Sequence, residues 1–472
     1  MKGKDAMAND IFRGKTDAEK RHVRFEDGEV ASEKPRRVTL HKTAKALGVI
    51  AATVLGAMRV FAEATPLDDY HYDGRWWSCM VDARGDAVIT GVDDASGDVH
   101  IPSSVNGYTV RTVKDEAFCN SDNYDWMTSV EIPNTVTNIS GAFKYCSGLV
   151  EVTVPGSVKG LEEAFAYCYG LETVELEEGI AEIGENAFCN CEILTSVTIP
   201  STVKAIGSYA FYECFLLEEI NLPEVLVDIG DGSFEETALL EIDIPEGVTN
   251  IGFVAFSECC SLREVTIPSK VKRFPYAFAD CTGLESATLE EGVSAVSESA
   301  FSGCESLASV MLPNTVTNIE DRAFSGCGSL AEIEFPQCLE AIGEYAFHMS
   351  GLQSADIPDG VRRVGMYAFS GFIDGFDIPH FTSLKTVKLP ASLKAIEEGT
   401  FQCCYLLETI DVPEGVERIA PFAFLYCENL KTILLPSTVT DIDYRAFFDC
   451  GAVTWISVAA GNTKYSSPNG LL

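Results

Sequence analysis

The side chains able to do chemistry are numerous, but their spacing does not gather them. The 472-residue chain carries 17 Cys, 6 His and 71 Asp+Glu. Cysteines in that number could pair as disulfides, hold a metal or fill small buried sites. Eleven recur at one position, each three residues after a Phe: Cys146, Cys168, Cys191, Cys214, Cys259, Cys281, Cys304, Cys327, Cys404, Cys427 and Cys450. Elsewhere Ser121, Thr237, Ser350 or Phe372 takes that position. Interchange with Ser and Thr points to a structural ladder of small buried groups, since a free thiol packs as a compact apolar residue. Pairing between neighbouring units is the second reading. Metal binding is the third, weakened because zinc ligands come in local pairs. The odd count leaves at least one thiol unpaired unless it bonds another chain.

Histidines offer little. Beyond residue 64 only His71, His100, His348 and His380 remain, scattered and without an H-x-x-x-H pair. No G-x-S-x-G, Walker A loop or G-x-G-x-x-G after a strand occurs. Carboxylates are so abundant that no pair stands out as acid and base. The sequence therefore assigns no catalytic, cofactor-binding or metal residue, and the chain reads as non-enzymatic. Arg84-Gly85-Asp86 spells an integrin-type tripeptide, a pattern that chance produces readily. Asn138-Ile139-Ser140 matches a glycosylation sequon, meaningful only in a eukaryotic source.

Charge narrows the partners. Formal net charge is −37. Residues 1–64 hold 13 basic and 9 acidic side chains, so the excess lies in the rest, with 21 basic and 62 acidic. Such a body repels nucleic-acid phosphates and anionic membrane surfaces. Residues 1–64 read as a long basic leader with a signal peptide. Lys34, Arg36, Arg37, Lys42 and Lys45 precede an apolar run at 46–58, and Ala62-Glu63-Ala64 supplies a cleavage pattern. The run is shorter than the roughly 20 residues of a membrane span. The expectation is secretion or surface display, with no membrane insertion after cleavage; an uncleaved signal-anchor is the alternative.

The elements that position these side chains follow from repetition. Fifteen phenylalanines, from Phe118 to Phe447, recur every 22 or 23 residues except for a first step of 25 and one of 32. Most follow an Ala. In the unit at Phe211, Cys214 and Leu217 come next, then Ile220, Leu222-Pro223, Val227 and Ile229-Gly230. Leu194, Val197 and Ile199 fit the L-x-x-L-x-L pattern, whose last two positions alternate like a strand with one buried face. Pro200 ends strand pairing because it lacks an N–H. Gly207 suits a turn, and Phe211 is large enough to fill the interior. One such coil cannot bury its own apolar face, so neighbours must stack on it.

This unit resembles the BspA-type leucine-rich repeat, over about residues 87–467. The stretch Ala87-Val88-Ile89-Thr90-Gly91 to Ile101-Pro102-Ser103-Ser104-Val105-Asn106-Gly107-Tyr108 resembles the family's opening cap, including an Asn-Gly hairpin turn. Residues 458–472, with Gly461-Asn462, Tyr465 and Asn469-Gly470-Leu471-Leu472, resemble the start of a further unit. The expected fold is a leucine-rich repeat solenoid. It has about 15 coils, a parallel β-sheet on the concave face, and irregular or short helical segments on the convex face. The expected division is leader 1–64, N-terminal β-hairpin cap 65–115, solenoid 116–459 and tail 460–472. Trp76 and Trp77 are expected to seal the first coil. The resemblance implies secreted or surface proteins that act in adhesion and protein binding.

Outward strand positions are then the recognition surface. They give candidate partner-binding residues Glu131, Glu151, Glu175, Glu219, Glu241, Asp243, Glu264, Glu332, Glu334, Asp356 and Trp455. An insertion at 372–381 adds Phe372, Phe376 and Phe381 as exposed aromatics or as a loop folded on the edge. The face reads either as a solvated surface or as an acidic, hydroxyl-rich platform for a protein partner on a host, matrix or neighbouring cell. A carbohydrate- or matrix-binding module, bridged by calcium, is the alternative. Lys385, Lys388, Lys394 and Lys431 gather late in the chain and would permit head-to-tail contacts between copies.

Overall fold

A computed structural model describes residues 65–118, 127–373, 379–380 and 382–467. The leader, Ser121, Phe376, Phe381 and Asn469 to Leu472 lie outside the described residues.

The chain enters through antiparallel pairing. Thr65–Pro66 and Tyr70–Tyr72 pair with Arg75–Val81, which pairs with Ala87–Val92. Ser104–Val105 turns back on Tyr108–Val113 through Asn106 (φ 50°) and Gly107 (φ 87°). Two successive positive φ values are what an Asn-Gly hairpin turn requires. Trp77 is fully buried and meets Phe118 edge-on at 6.1 Å, so it seals the apolar end of the stack. Trp76 does not: it is 51% exposed, because neighbouring strand residues point to opposite faces.

The described residues beyond form a β-solenoid of about 16 stacked turns. It exceeds the 15 Phe-marked units because Gly97–His100 already pairs in parallel with Met127–Glu131. Each coil has three sides. On the sheet side, Glu151–Val154, Thr173–Leu176 and Ser196–Thr198 pair in parallel and in register, Val152 with Val174 and Val174 with Val197. Their valines are buried and the residues between them exposed, the alternation of a half-buried strand. A second parallel ladder of two-residue strands runs along another side, with Ala205–Ile206 between Glu182–Ile183 and Asp228–Ile229.

The third side carries the Ala-Phe turns. The short helical segments expected on the convex face are absent among the described residues. Backbone geometry explains the difference. The residues two before and two after most of these Phe take left-handed conformations, as Glu163 (φ 53°) and Tyr167 (φ 62°) do around Phe165. A right-handed helix cannot pass through such residues. N–H groups alternate instead: Ala164, Ala166 and Cys168 donate three residues back, while Phe165 and Tyr167 donate to Ala187 and Cys189 of the next coil. The turns therefore stitch the coils together as the sheets do.

Fifteen phenylalanine rings form one continuous column through the core, stacked at centroid distances of 4.9–5.8 Å. Each fully buried ring contributes about 1.5–3 kcal/mol by area alone. Beside the rings runs the thiol ladder. From Cys168 to Cys450, ten thiols donate to the carbonyl of a Phe in the preceding coil at 3.0–3.4 Å. Thr fits the same place with a hydroxyl that donates to a Phe carbonyl within its own coil: Thr237 bonds the Phe234 carbonyl at 2.9 Å. Phe372 is not the ladder residue of its coil. The insertion loops out after Gly371, and Thr382 returns to the ladder, its Oγ1 3.5 Å from Cys404 Sγ. Gly207 serves contact, not a turn: a Cβ there would stand 2.6 Å from the Glu185 nitrogen, so only glycine lets the coils close.

Candidate functional site

All ten carboxylates expected on the recognition surface are exposed, and Trp455 is 51% exposed. The strand register brings them together unevenly. Glu151 lies between Ser129 and Thr173, and Glu175 between Thr153 and Thr198. With Glu131 they line an open groove of about 730 Å³. Nearby, Ser129 and Thr128 donate to Asp98 and hold its carboxyl below the usual range. Glu264 pairs in register with Ser286. Asp356 stands opposite Lys388 and forms an ion pair at 2.9 Å, which lowers its availability to a partner. Trp455 is registered against Thr432, and the exposed Leu434 sits two residues along the same strand face.

Glu219, Glu241 and Asp243 sit where the sheet is interrupted. Among the described residues no strand forms on this side between Ser196–Thr198 and Glu264–Ile267. A groove of about 460 Å³ opens there instead. Like charges facing one another across neighbouring strands weaken pairing. Glu332 and Glu334 likewise flank Ile333 outside any strand. The sequence reading missed Glu224 and Glu246, which line the same groove as Glu219. The available signal was the Pro-Glu that closes both coils. A hydrogen bond shared with Glu290 raises Glu246 above the ordinary carboxylate value.

The insertion does not join this face into one site. Phe372–Ile373 pairs antiparallel with Pro379–His380, and the Phe372 ring, 42% exposed, lies 5.7 Å from His380. Its hairpin springs from the turn side, directly after Phe369.

On that turn side the carboxylates Glu213, Glu235, Glu236 and Glu258 crowd together. Burial, then the neighbouring charges, push Glu235 up to about 7. His348 Nδ1 meets the Ser370 hydroxyl at 2.8 Å, but this is no nucleophile pair. Ser370 is fully buried and its hydroxyl donates to the Tyr367 carbonyl at 2.9 Å, so the imidazole donates to Ser370. Burial lowers His348 to about 4 and keeps it neutral. Burial also pushes Cys191, Cys304 and Cys427 well above the ordinary thiol value, removing the thiolate that metal binding or nucleophilic attack needs. Among the described residues no three His, Cys, Asp or Glu side chains are placed to hold a metal ion. Nor is any helix there long and apolar enough to cross a membrane.

Arg84-Gly85-Asp86 caps the hairpin between Arg75–Val81 and Ala87–Val92. Gly85 has φ 86°, Arg84 is exposed, and Asp86 leans toward Arg111 at 3.8 Å.

The fold is shared with a known protein. No curated protein matches the sequence. A leucine-rich repeat protein from Bacteroides ovatus has a similar structure, with TM-score 0.51 and 24% identity over 83% of this chain and 99% of its own. That likeness bears on the fold alone. A leucine-rich cell surface protein from Faecalibacterium prausnitzii gives TM-score 0.35 and 26% identity over 84% of this chain and 95% of its own. The family model described as the BspA type leucine-rich repeat region matches in six copies, over residues 98–164, 161–277, 275–380 and 373–467. With that model spanning most of the solenoid, and with its Ala-Phe turns, thiol ladder and parallel sheet, the chain belongs to the BspA-type leucine-rich repeat family.

Proposed function

We propose that this chain is a non-enzymatic binding protein, secreted or displayed at a cell surface, that takes a protein partner on its open sheet side and so mediates adhesion. The observation that carries the reading is the row of exposed carboxylates and hydroxyls held in register along one side, with grooves that stay open to solvent. A broad, rigid, charged surface suits recognition of another macromolecule, where complementary potential sets encounter rate and specificity. Trp455 beside Leu434 adds the kind of apolar anchor that dominates binding energy.

The test is capture of matrix and cell-surface proteins on an array by the full chain and by the variant Glu131→Gln, Glu151→Gln, Glu175→Gln, Glu264→Gln. Captured partners should bind the variant at least about tenfold more weakly. They should bind equally with and without chelator, whereas a calcium-bridged carbohydrate contact would be lost with it. Unchanged capture by the variant overturns the reading.

A further inference from the structure

One belt of the solenoid differs from the rest. Between Lys204 and Arg263 the sequence has 12 Asp+Glu and no Lys, Arg or His. The ion pairs on either side in sequence, Lys144 with Glu163 and Arg263 with Glu285, do not reach into it. The same belt leaves large apolar side chains uncovered where the turn side meets the sheet side: Phe215 is 43% exposed, Leu216 48% and Leu240 44%. A backbone hydrogen bond from Leu240 N–H to the Glu218 carbonyl, at 3.0 Å, sets the two segments side by side. Directly beyond them lies the groove of about 460 Å³ edged by Glu219, Glu241 and Asp243, where the sheet is interrupted.

We infer that this lip and groove dock a cationic amphipathic polypeptide segment, a proposal that rests on the sheet side being the binding side. Its apolar residues cover Phe215, Leu216 and Leu240, and its Lys or Arg side chains enter the groove. The apolar rim requires an apolar partner surface, and unpaired carboxylates require cations. The body of a second copy, residues 65–472 with 21 basic and 62 acidic side chains, supplies the wrong sign, as do nucleic acids and anionic membranes. An inorganic cation or a polyamine leaves the rim uncovered.

The probe is a fluorescein-labelled amphipathic peptide of Lys and Leu, with a Glu and Leu counterpart, followed by anisotropy on the full chain. Binding of the Lys peptide should weaken about tenfold or more in Glu218→Gln/Glu219→Gln/Glu241→Gln/Asp243→Asn, and similarly in Phe215→Ser/Leu216→Ser. Raising salt from roughly 0.05 to 0.5 M should weaken it too. The Glu peptide should not bind. All exchanged positions are exposed, and unchanged circular dichroism melts confirm folding. If both belt variants bind like the parent while Glu131→Gln/Glu151→Gln/Glu175→Gln loses affinity, the belt is refuted and the sheet-side reading survives. If none of the three changes affinity, both fall. Spermine competing as tightly as the Lys peptide, or an unaffected Phe215→Ser/Leu216→Ser, overturns the amphipathic partner.

Discussion

Removing one ring from the middle of the phenylalanine column tests whether the coils stand by stacking. Phe211 is fully buried, with Phe188 and Phe234 each 5.4 Å away. Phe211→Ala removes that ring and leaves a cavity that flanking coils cannot collapse into, since their backbones are tied by the turn-side bonds of Phe211 to Ser233 and Phe188 to Ala210. Fully buried Phe→Ala changes cost about 3–5 kcal/mol, of which two lost ring contacts account for about 1–3. Phe447 makes the informative comparison. It is only half-buried and touches one ring of the column, Phe424, at 5.2 Å. One ring contact and partial burial set Phe447→Ala near 1–2 kcal/mol. Urea unfolding read by circular dichroism gives both values. Hydrogen exchange then locates the loss, which nearest-neighbour stacking confines first to the coils of Phe188, Phe211 and Phe234. Equal costs for the two variants, or a Phe211→Ala cost under about 1 kcal/mol, would refute the stacked-coil reasoning.

Two other outcomes follow from the same geometry. Glu235 is raised to about 7 in the folded chain, so folded protein holds a proton that unfolded protein releases near pH 4.5. Stability from this group is full below about pH 4.5 and is lost as pH rises through about 7. Because Glu235 is half-exposed, solvent screening trims the effect to on the order of 1–2 kcal/mol. Glu235→Gln should therefore melt higher than the parent at pH 8 and alike at pH 4, and a difference that is largest at pH 4 contradicts the assignment. For the thiols, a native titration with a disulfide reagent should label the exposed Cys260 and Cys338 first. Ladder members such as Cys214 and Cys327 should react only on unfolding; mass mapping that finds ladder thiols labelled first would contradict the ladder.

Much of the architecture was written in spacing. Phe211, Leu217, Ile220 and Ile229 recur because each fills one place in a coil, and periodicity reads such places directly. The alternation at Val152 and Val154 likewise fixes which side chains face out, so the ten carboxylates could be read as exposed. Four things were hidden. The absence of helix among the described residues depends on left-handed backbone at residues as ordinary as Glu163 and Tyr167, which composition does not announce. The role of Gly207 depends on how near Glu185 comes in the coil below. The site of Thr382 depends on where the insertion loops out, and counting from Phe369 lands on Phe372. Interruption of the sheet at Glu219 and Glu241 was also invisible strand by strand, because it arises between coils.

The central claim is that recognition happens on the sheet side. Carbodiimide labelling of carboxylates, read by mass spectrometry on the chain alone and with a captured partner, tests it most directly. Protection should gather at Glu151, Glu175, Glu219, Glu241 and Glu264, with Asp228 of the second ladder and Asp231 in the turn after it labelled as before. Protection centred on Asp228 and Asp231, with the sheet-side carboxylates unchanged, would contradict the account.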